Sequence, residues 1–280
     1  MRLLAIETSG TVGGIALAEA APLAHCPAAP PADSPAAPPP ADSPAAPQPG
    51  SPPPRPPLRI VDEVRLTEGL RHARDLVLTM KAACDRAAWN PRQIDCLAVS
   101  IGPGSFTGIR VAVTVAKLVA WDTGARIVAV PSLRALVENV PADCRRAAAI
   151  LDAKRGGLFA SIFERRPAPG ATGGLSASAD APGATADFAE IFGPALIEPP
   201  DLARRIEKPA LILGHGIPKS GDALAGFDIA PRDLWDIRPA AVARLGYELH
   251  LRGRHADPLR LEPVYIRPPE AQEIWERKHQ

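Results

Sequence analysis

The chain has 280 residues, a formal net charge of +1 at pH 7, and 46% hydrophobic residues, while aromatic residues make up only 4%. A chain of this length can bury one large core or two lobes, and the composition makes that core aliphatic and rich in alanine. The near-neutral charge argues against a dedicated nucleic-acid-binding protein, because such surfaces need a clustered excess of Lys and Arg.

Cysteine usage and the apolar runs indicate the compartment. The four cysteines, at positions 26, 84, 96 and 144, form no CxxC pair, which argues against a zinc ribbon and a disulfide framework. Only four apolar residues separate Arg2 from Glu7, too few for a signal peptide. No uncharged apolar run reaches the roughly 18 residues of a membrane helix. We therefore expect a cytoplasmic protein with no membrane partner.

The first lobe is predicted over residues 1–124. Strands at 2–7 and 13–19, joined by a short polar turn, predict a hairpin. Residues 21–57 hold 16 of the 34 prolines and repeat the string PADSPAAP, so we predict a disordered Pro/Ala-rich insertion there. A third strand is predicted at 58–66, and helical spacing of apolar residues predicts a helix at 70–87.

Residues 95–122 form the most informative stretch. A buried strand is predicted from Cys96 to Ile101, the glycine and proline residues at 102–104 break it, and a helix is predicted over 108–121. This helix is apolar on nearly every side, whereas a surface helix needs only one apolar face. Either it is a central core helix, or its second apolar face is covered by another protein; its periodicity leaves both alternatives open.

After Gly124 the alternation of strands and helices begins again, and a second lobe is predicted over residues 125–280. Its predicted strands are 126–130, 147–152, 157–163, 210–213 and 263–267; its predicted helices are 131–138, 200–206 and 239–251; and residues 167–186 are a low-complexity loop. The element order predicts an α/β fold of two ribonuclease-H-like lobes, as in actin, sugar kinases and heat-shock ATPases.

Five segments carry a resemblance to a known family. They are LLAIETSG, GPGSFTGIR, VPSLRAL, LDAKRG and EPVYIR, in the family's own order. Together they resemble the TsaB family, and the likeness extends over nearly the whole chain apart from the two low-complexity stretches. The most specific segment contributes the motif residues Gly102, Pro103, Gly104, Ser105, Phe106, Thr107, Gly108 and Arg110.

The resemblance implies a non-catalytic subunit without a cofactor. Such a subunit pairs with the catalytic paralogue TsaD, and the ATPase TsaE completes the complex, which transfers a threonylcarbamoyl group to N6 of adenosine 37 in tRNAs that read codons beginning with A. The subunit would reach tRNA through the complex and could form a homodimer when alone. In the family the pairing surface is built from helices that match 70–87 and 108–121. The candidate partner-binding residues here are Ala73, Leu76, Met80, Ile109, Val113, Ala116 and Lys117.

An autonomous kinase or ATPase is the first alternative. On this fold the turn between the first two strands cradles phosphates, so the candidate nucleotide-binding residues are Thr8, Ser9, Gly10 and, on a later turn, Asp152. The acid that the family usually carries on the first strand is Asp, whereas this chain has Glu7. A nuclease is not expected, because the fourth strand offers Ser100 where a second metal-binding carboxylate is needed.

A metallopeptidase-like protein is the second alternative. It would need two histidines four residues apart on one helix face, and here His72 is followed at that spacing by Leu76. No nucleophilic serine can be assigned a histidine and an acid as partners. We therefore predict no metal site and no catalytic residue.

Overall fold

The computed structural model describes residues 1–21, 56–66, 72–166, 187–267 and residue 275. The insertion predicted at 21–57 lies outside the described residues except at its two ends, and the low-complexity loop predicted at 167–186 lies wholly outside them. The remaining elements form two five-stranded sheets with helices, which confirms the predicted α/β fold with two lobes.

The first sheet has the strand order β3-β2-β1-β4-β5. Strands β1 and β2 form the predicted antiparallel hairpin, β3 extends it, and β4 and β5 run parallel to β1. The central strands are buried on both faces, in agreement with their nearly continuous apolar sequences. The strands are β1 (Arg2–Glu7), β2 (Gly14–Ala20), β3 (Leu58–Arg65), β4 (Cys96–Gly102) and β5 (Arg126–Pro131).

The second sheet has the order β10-β9-β6-β7-β8. Strands β6 and β7 form an antiparallel hairpin, β8 extends it, and β9 is parallel to β6. These strands are β6 (Arg146–Asp152), β7 (Leu158–Arg165), β8 (Phe188–Ile197), β9 (Leu211–Leu213) and β10 (Asp228–Ile229). The α-helical segments with defined bounds in the described ranges are α1 (His72–Arg86), α2 (Phe106–Thr123), α3 (Ser132–Leu136), α4 (Pro199–Arg205) and α5 (Pro239–Leu251).

Helices cover both faces of the first sheet. Buried side chains of α1 and α2 share one hydrophobic cluster with the sheet residues Leu4, Ile6 and Leu97. The C-terminal helix α5 packs on the opposite face, against all five strands of the first sheet. Among the described residues, no helix is both long enough and apolar enough to span a membrane.

The structure differs from the sequence-based expectations at several elements. The prediction of a strand at 263–267 is wrong: this segment is irregular, and its backbone is joined to β4 by a hydrogen bond from Val264 N to Ile101 O (2.8 Å). Strand β4 is already paired on both sides, by β1 and β5, so it offers no free edge for another strand. Strands β8 and β10 were not predicted.

The lobe boundary expected after residue 124 does not coincide with the change of sheet. Strand β5 still belongs to the first sheet, and α5 returns to cover that sheet from the far end of the chain. Sheet membership therefore changes only after Pro131. The division of the chain into folding domains stays a prediction.

Candidate functional site

The glycine-rich loop after β4 packs directly on the turn between β1 and β2. A Cβ atom added at Gly104 or Gly108 would lie closer than 3.0 Å to the carbonyl oxygens of Ser9 or Thr8, which real Cβ atoms essentially never do. Hydrogen bonds join the two segments, from Ser105 N to Ser9 O (2.8 Å) and from Thr8 Oγ1 to Gly108 O (2.7 Å). The two glycines are therefore needed for backbone contact, not only to break the strand.

Helix α2 starts two residues earlier than expected from its apolar pattern. Ser105 is its N-cap residue, and the Ser105 hydroxyl accepts a hydrogen bond from Gly108 N (3.3 Å). Gly124, in the left-handed conformation, ends the helix. The motif thus supplies both the loop and the cap of the helix.

Contacts link all five segments of the family resemblance: three pack on this loop, and the fifth, LDAKRG, is joined to the C-terminal segment. Beyond the β1–β2 turn, the Ser132 hydroxyl accepts a hydrogen bond from Gly102 N (3.1 Å). The Arg110 guanidinium lies over the Phe106 ring (3.8 Å) and donates to Tyr265 Oη (2.7 Å). Arg267 donates to the carbonyl groups of Ala153 and Lys154. Segments that are far apart in sequence therefore support one another at the carboxyl ends of the strands.

Glu7 is the last residue of β1, and its carboxyl group contacts the β1–β2 turn. Its Oε1 accepts hydrogen bonds from Ser9 N (2.6 Å), Ser9 Oγ (2.7 Å) and Gly10 N (2.9 Å). The side chain is fully buried, and Oε2 has no hydrogen-bond partner among the described residues. Burial raises the pKa of Glu7, while the nearby Ser100 hydroxyl and the donors of the turn lower it to a lesser extent.

The candidate nucleotide-binding residues are engaged with other groups of the chain. Thr8 and Ser9 are buried and their hydroxyl groups donate to Gly108 and Glu7. Asp152, on the β6–β7 turn, accepts hydrogen bonds from Lys154 N (2.7 Å) and Lys154 Nζ (3.0 Å). A phosphate group would have to displace these contacts. Within the described ranges, no three His, Cys, Asp or Glu side chains are grouped so that they could hold a metal ion.

Most of the candidate partner-binding side chains face the interior of this chain. Leu76, Met80, Ile109, Val113 and Ala116 are buried, and all except Ile109 belong to the cluster between helices α1 and α2 and the sheet. Their side chains offer little surface to another protein while the fold is intact, and their part in pairing stays a prediction. Lys117 is half-buried on α2, and the side chain of Ala73 lies outside the described part of α1.

The solvent-exposed parts of the same two helices carry other apolar side chains, which were not among the candidate partner-binding residues. On α1, Val77 and Leu78 are 54% and 65% exposed; on α2, Leu118 and Trp121 are 65% and 83% exposed. Half-buried Val111, Val115 and Val119 lie between the two faces of α2. We call the exposed set Val77, Leu78, Leu118 and Trp121 the helical-layer face.

Comparisons with known proteins agree with the resemblance. A family model described as TsaD, tRNA N6-adenosine threonylcarbamoyltransferase, matches residues 68–167. The tRNA threonylcarbamoyladenosine biosynthesis protein TsaB of Bacillus subtilis (strain 168) is 29% identical over 200 residues, which cover 69% of this chain and 76% of that protein.

Two solved structures from Pseudomonas aeruginosa share the fold. YeaZ superimposes on this chain with a TM-score of 0.62 and is 18% identical to it. The match covers 94% of this chain and 99% of YeaZ. An uncharacterised protein with similarity to peptidase YeaZ has a TM-score of 0.64 at 17% identity, with 95% of this chain and 99% of that chain covered. These structures show likeness of fold, and the sequence relative adds likeness of family. The predicted resemblance is confirmed: this chain is similar in sequence to TsaB of Bacillus subtilis and similar in fold to YeaZ of Pseudomonas aeruginosa.

Proposed function

We propose that this chain is the non-catalytic subunit of a tRNA threonylcarbamoyladenosine biosynthesis complex in the cytoplasm, and that it pairs with a TsaD-type catalytic paralogue. The name of the Bacillus relative supports the pathway. The match to the TsaD family model supports the partner, because the matched residues 68–167 include both helices α1 and α2. A paralogue with equivalent helices can pack on them in a nearly two-fold arrangement.

The observation that carries the proposal is the helical-layer face. Leu118 and Trp121 lie one turn apart on α2, and each exposes more than half of its side chain. Tryptophan is enriched among the residues that dominate binding energy at interfaces. Exposed apolar side chains that neighbour one another mark an interaction site more often than singly scattered ones do. The outer apolar side of α2 is thus assigned to the partner and the inner side to the core.

The geometry of the β1–β2 turn supports a non-catalytic role. The groups that would hold a phosphate already donate to Glu7 and Gly108. We therefore assign catalysis to the TsaD-type partner and nucleotide hydrolysis to a TsaE-type ATPase, with tRNA bound through the assembled complex. In the absence of the partner, a second copy of this chain would cover the helical-layer face.

Reconstitution tests this function. The catalytic paralogue, the ATPase and substrate tRNA are incubated with and without this protein, and threonylcarbamoyladenosine is quantified by mass spectrometry of digested tRNA. Size-exclusion chromatography with light scattering reports on the complex in parallel. We expect modification to depend on this protein, which should co-elute with the paralogue and be inactive alone. ATP hydrolysis by the isolated protein, together with separate elution, would contradict the proposal.

A further inference from the structure

Arg110 lies on the exposed side of α2, where two aromatic residues hold its side chain. The guanidinium carbon lies 3.8 Å from the centre of the Phe106 ring, and Nε donates to Tyr265 Oη (2.7 Å). Phe106 and Tyr265 are each 38% exposed, and their ring centres are 5.0 Å apart. Because the rings and the hydroxyl fix the guanidinium, its terminal amino groups are available to an acceptor on another molecule.

Arg110 belongs to a strip of positive charge on α2. Lys117 lies seven residues later, on the same side of the helix and about two turns away. These are the only charged residues from Phe106 to Trp121, and among the described residues no carboxylate forms an ion pair with either of them. The first turn of α2 has no acidic residue, so the positive end of the helix dipole adds to the charge of Arg110. We call Arg110 and Lys117 the cationic strip.

The cationic strip adjoins the exposed apolar residues of α2. The exposed residues in the middle of this helix follow one another at steps of three or four and therefore share one side: Arg110, Thr114, Leu118 and Trp121. A protein that covers Leu118 and Trp121 also covers or borders the cationic strip. Covering a cation without an opposite charge costs free energy, because the cation loses its water. We therefore expect the partner to place carboxylates there.

A second copy of this chain has little opposite charge to offer. In α1, Asp85 already pairs with Lys81 (2.6 Å). In α2, Asp122 already pairs with Arg92 (3.0 Å). Asp75, the remaining acid of these two helices, is half-buried. Two-fold self-pairing of the helical-layer face would bring two cationic strips into one interface, and like charges disfavour such pairing. A paralogue with acidic residues on its equivalent helices has no such penalty.

We propose that the cationic strip selects the partner by charge: it receives carboxylates of the TsaD-type paralogue and disfavours a second copy of this chain. The inference rests on the proposed function and adds the chemistry of the partner surface, an apolar patch bordered by acidic side chains. The net charge of only +1 favours an acidic protein surface over RNA phosphates as the occupant. Arg110 is the principal contact, because the two aromatic residues fix its position.

The salt dependence of two association equilibria tests this inference. For the full chain, dissociation constants are measured with the TsaD-type paralogue by calorimetry and for self-association by analytical ultracentrifugation, from about 50 to about 500 mM sodium chloride. Arg110→Gln removes the charge and keeps a good helix former, whereas Arg110→Lys keeps the charge without the planar fork. Arg205→Gln is the matched control. The exposed Arg205 guanidinium on α4 also lies over an aromatic ring, that of Phe192 (4.9 Å), and forms no ion pair with a described carboxylate.

We expect added salt to weaken pairing with the paralogue and to strengthen self-association, because salt screens attraction in the first and repulsion in the second. Arg110→Gln should raise the dissociation constant for the paralogue about 10-fold to 100-fold at low salt. It should also lower the dissociation constant for self-association and flatten both salt dependences. Arg110→Lys should keep the salt dependences and lose part of the affinity for the paralogue, and Arg205→Gln should behave like the unmodified protein.

The inference is overturned, while the proposed function stands, if the unmodified protein pairs with the paralogue and Arg110→Gln pairs equally tightly with the same salt dependence. Self-association that weakens with added salt also overturns it. Normal pairing of Arg110→Gln, combined with weaker tRNA binding by the assembled complex, would assign the strip to RNA instead. Absence of any pairing by the unmodified protein would contradict both the inference and the proposed function.

Discussion

Two substitutions on α2 distinguish the side chains that hold the core from those that we assign to the partner. Val113 is buried against the sheet, whereas Leu118, five residues later, is 65% exposed on the helical-layer face. We expect Val113→Asp to prevent stable folding and Leu118→Glu to leave the fold intact while weakening partner binding. Glutamate is chosen at position 118 because it forms helices nearly as well as leucine.

The expected changes in the free energy of unfolding follow from how deeply each side chain is buried. Exposing or replacing a buried Val side chain loses about 1.5–3 kcal/mol of hydrophobic free energy. Burying an unpaired carboxylate costs several kcal/mol more. The sum is comparable with the whole stability of a domain, about 5–15 kcal/mol. Leu118→Glu, in contrast, should change the free energy of unfolding by about 0.5 kcal/mol or less.

Leu118→Glu should reduce the free energy of binding to the partner. Covering the exposed two-thirds of a leucine contributes about 1–2 kcal/mol, and a carboxylate facing an apolar partner surface adds a similar penalty. The total of about 2–4 kcal/mol corresponds to a dissociation constant raised by about 30-fold to 1,000-fold. Circular dichroism with urea measures stability, and titration calorimetry with the TsaD-type paralogue measures binding.

Leu259→Glu is the matched control, because Leu259 is 78% exposed but lies outside helices α1 and α2. It should leave both stability and pairing unchanged. The reasoning is refuted if Leu118→Glu folds and pairs with the paralogue as tightly as the unmodified protein, or if Val113→Asp remains fully stable.

Three further substitutions test individual contacts. Gly108→Ala should destabilise the protein by several kcal/mol, measured by urea unfolding, because the new Cβ would overlap the Thr8 carbonyl; the exposed neighbouring substitution Thr107→Ala should have little effect. Burial raises the pKa of Glu7 above its ordinary 4.5, so its stabilising contribution is complete below that pH and is lost as pH rises through the folded-state pKa. Glu7→Gln should therefore reduce the fall of the urea midpoint as pH rises above 4.5, and an unchanged profile would contradict the assignment. Asp236→Asn should cost about 1–3 kcal/mol, because its carboxylate accepts hydrogen bonds from an arginine of β3 and a histidine after β9; equal unfolding free energies would show these contacts to be dispensable.

The sequence by itself determined most of the secondary structure and the resemblance to the TsaB family. Strong local signals, such as the apolar runs of β1 and β4 and the glycine-proline break between β4 and α2, gave element positions within a few residues. Strand β8 was not predicted because Gly193 and Pro194, which are typical of turns, interrupt its apolar run. The segment 263–267 looks like a strand in isolation, but whether it pairs depends on a free sheet edge elsewhere.

Only the tertiary structure decided which sides of α1 and α2 face outward and why the motif needs its glycines. A helix that is apolar on nearly every side has no pattern that tells core from partner, so Leu118 and Trp121 could be separated from Val113 and Ala116 only by the position of the sheet. The contact of Glu7 with the turn that follows it is likewise a matter of side-chain direction and burial. The sequence indicates which residues could be in contact, whereas the packing of the folded chain determines which of their atoms touch.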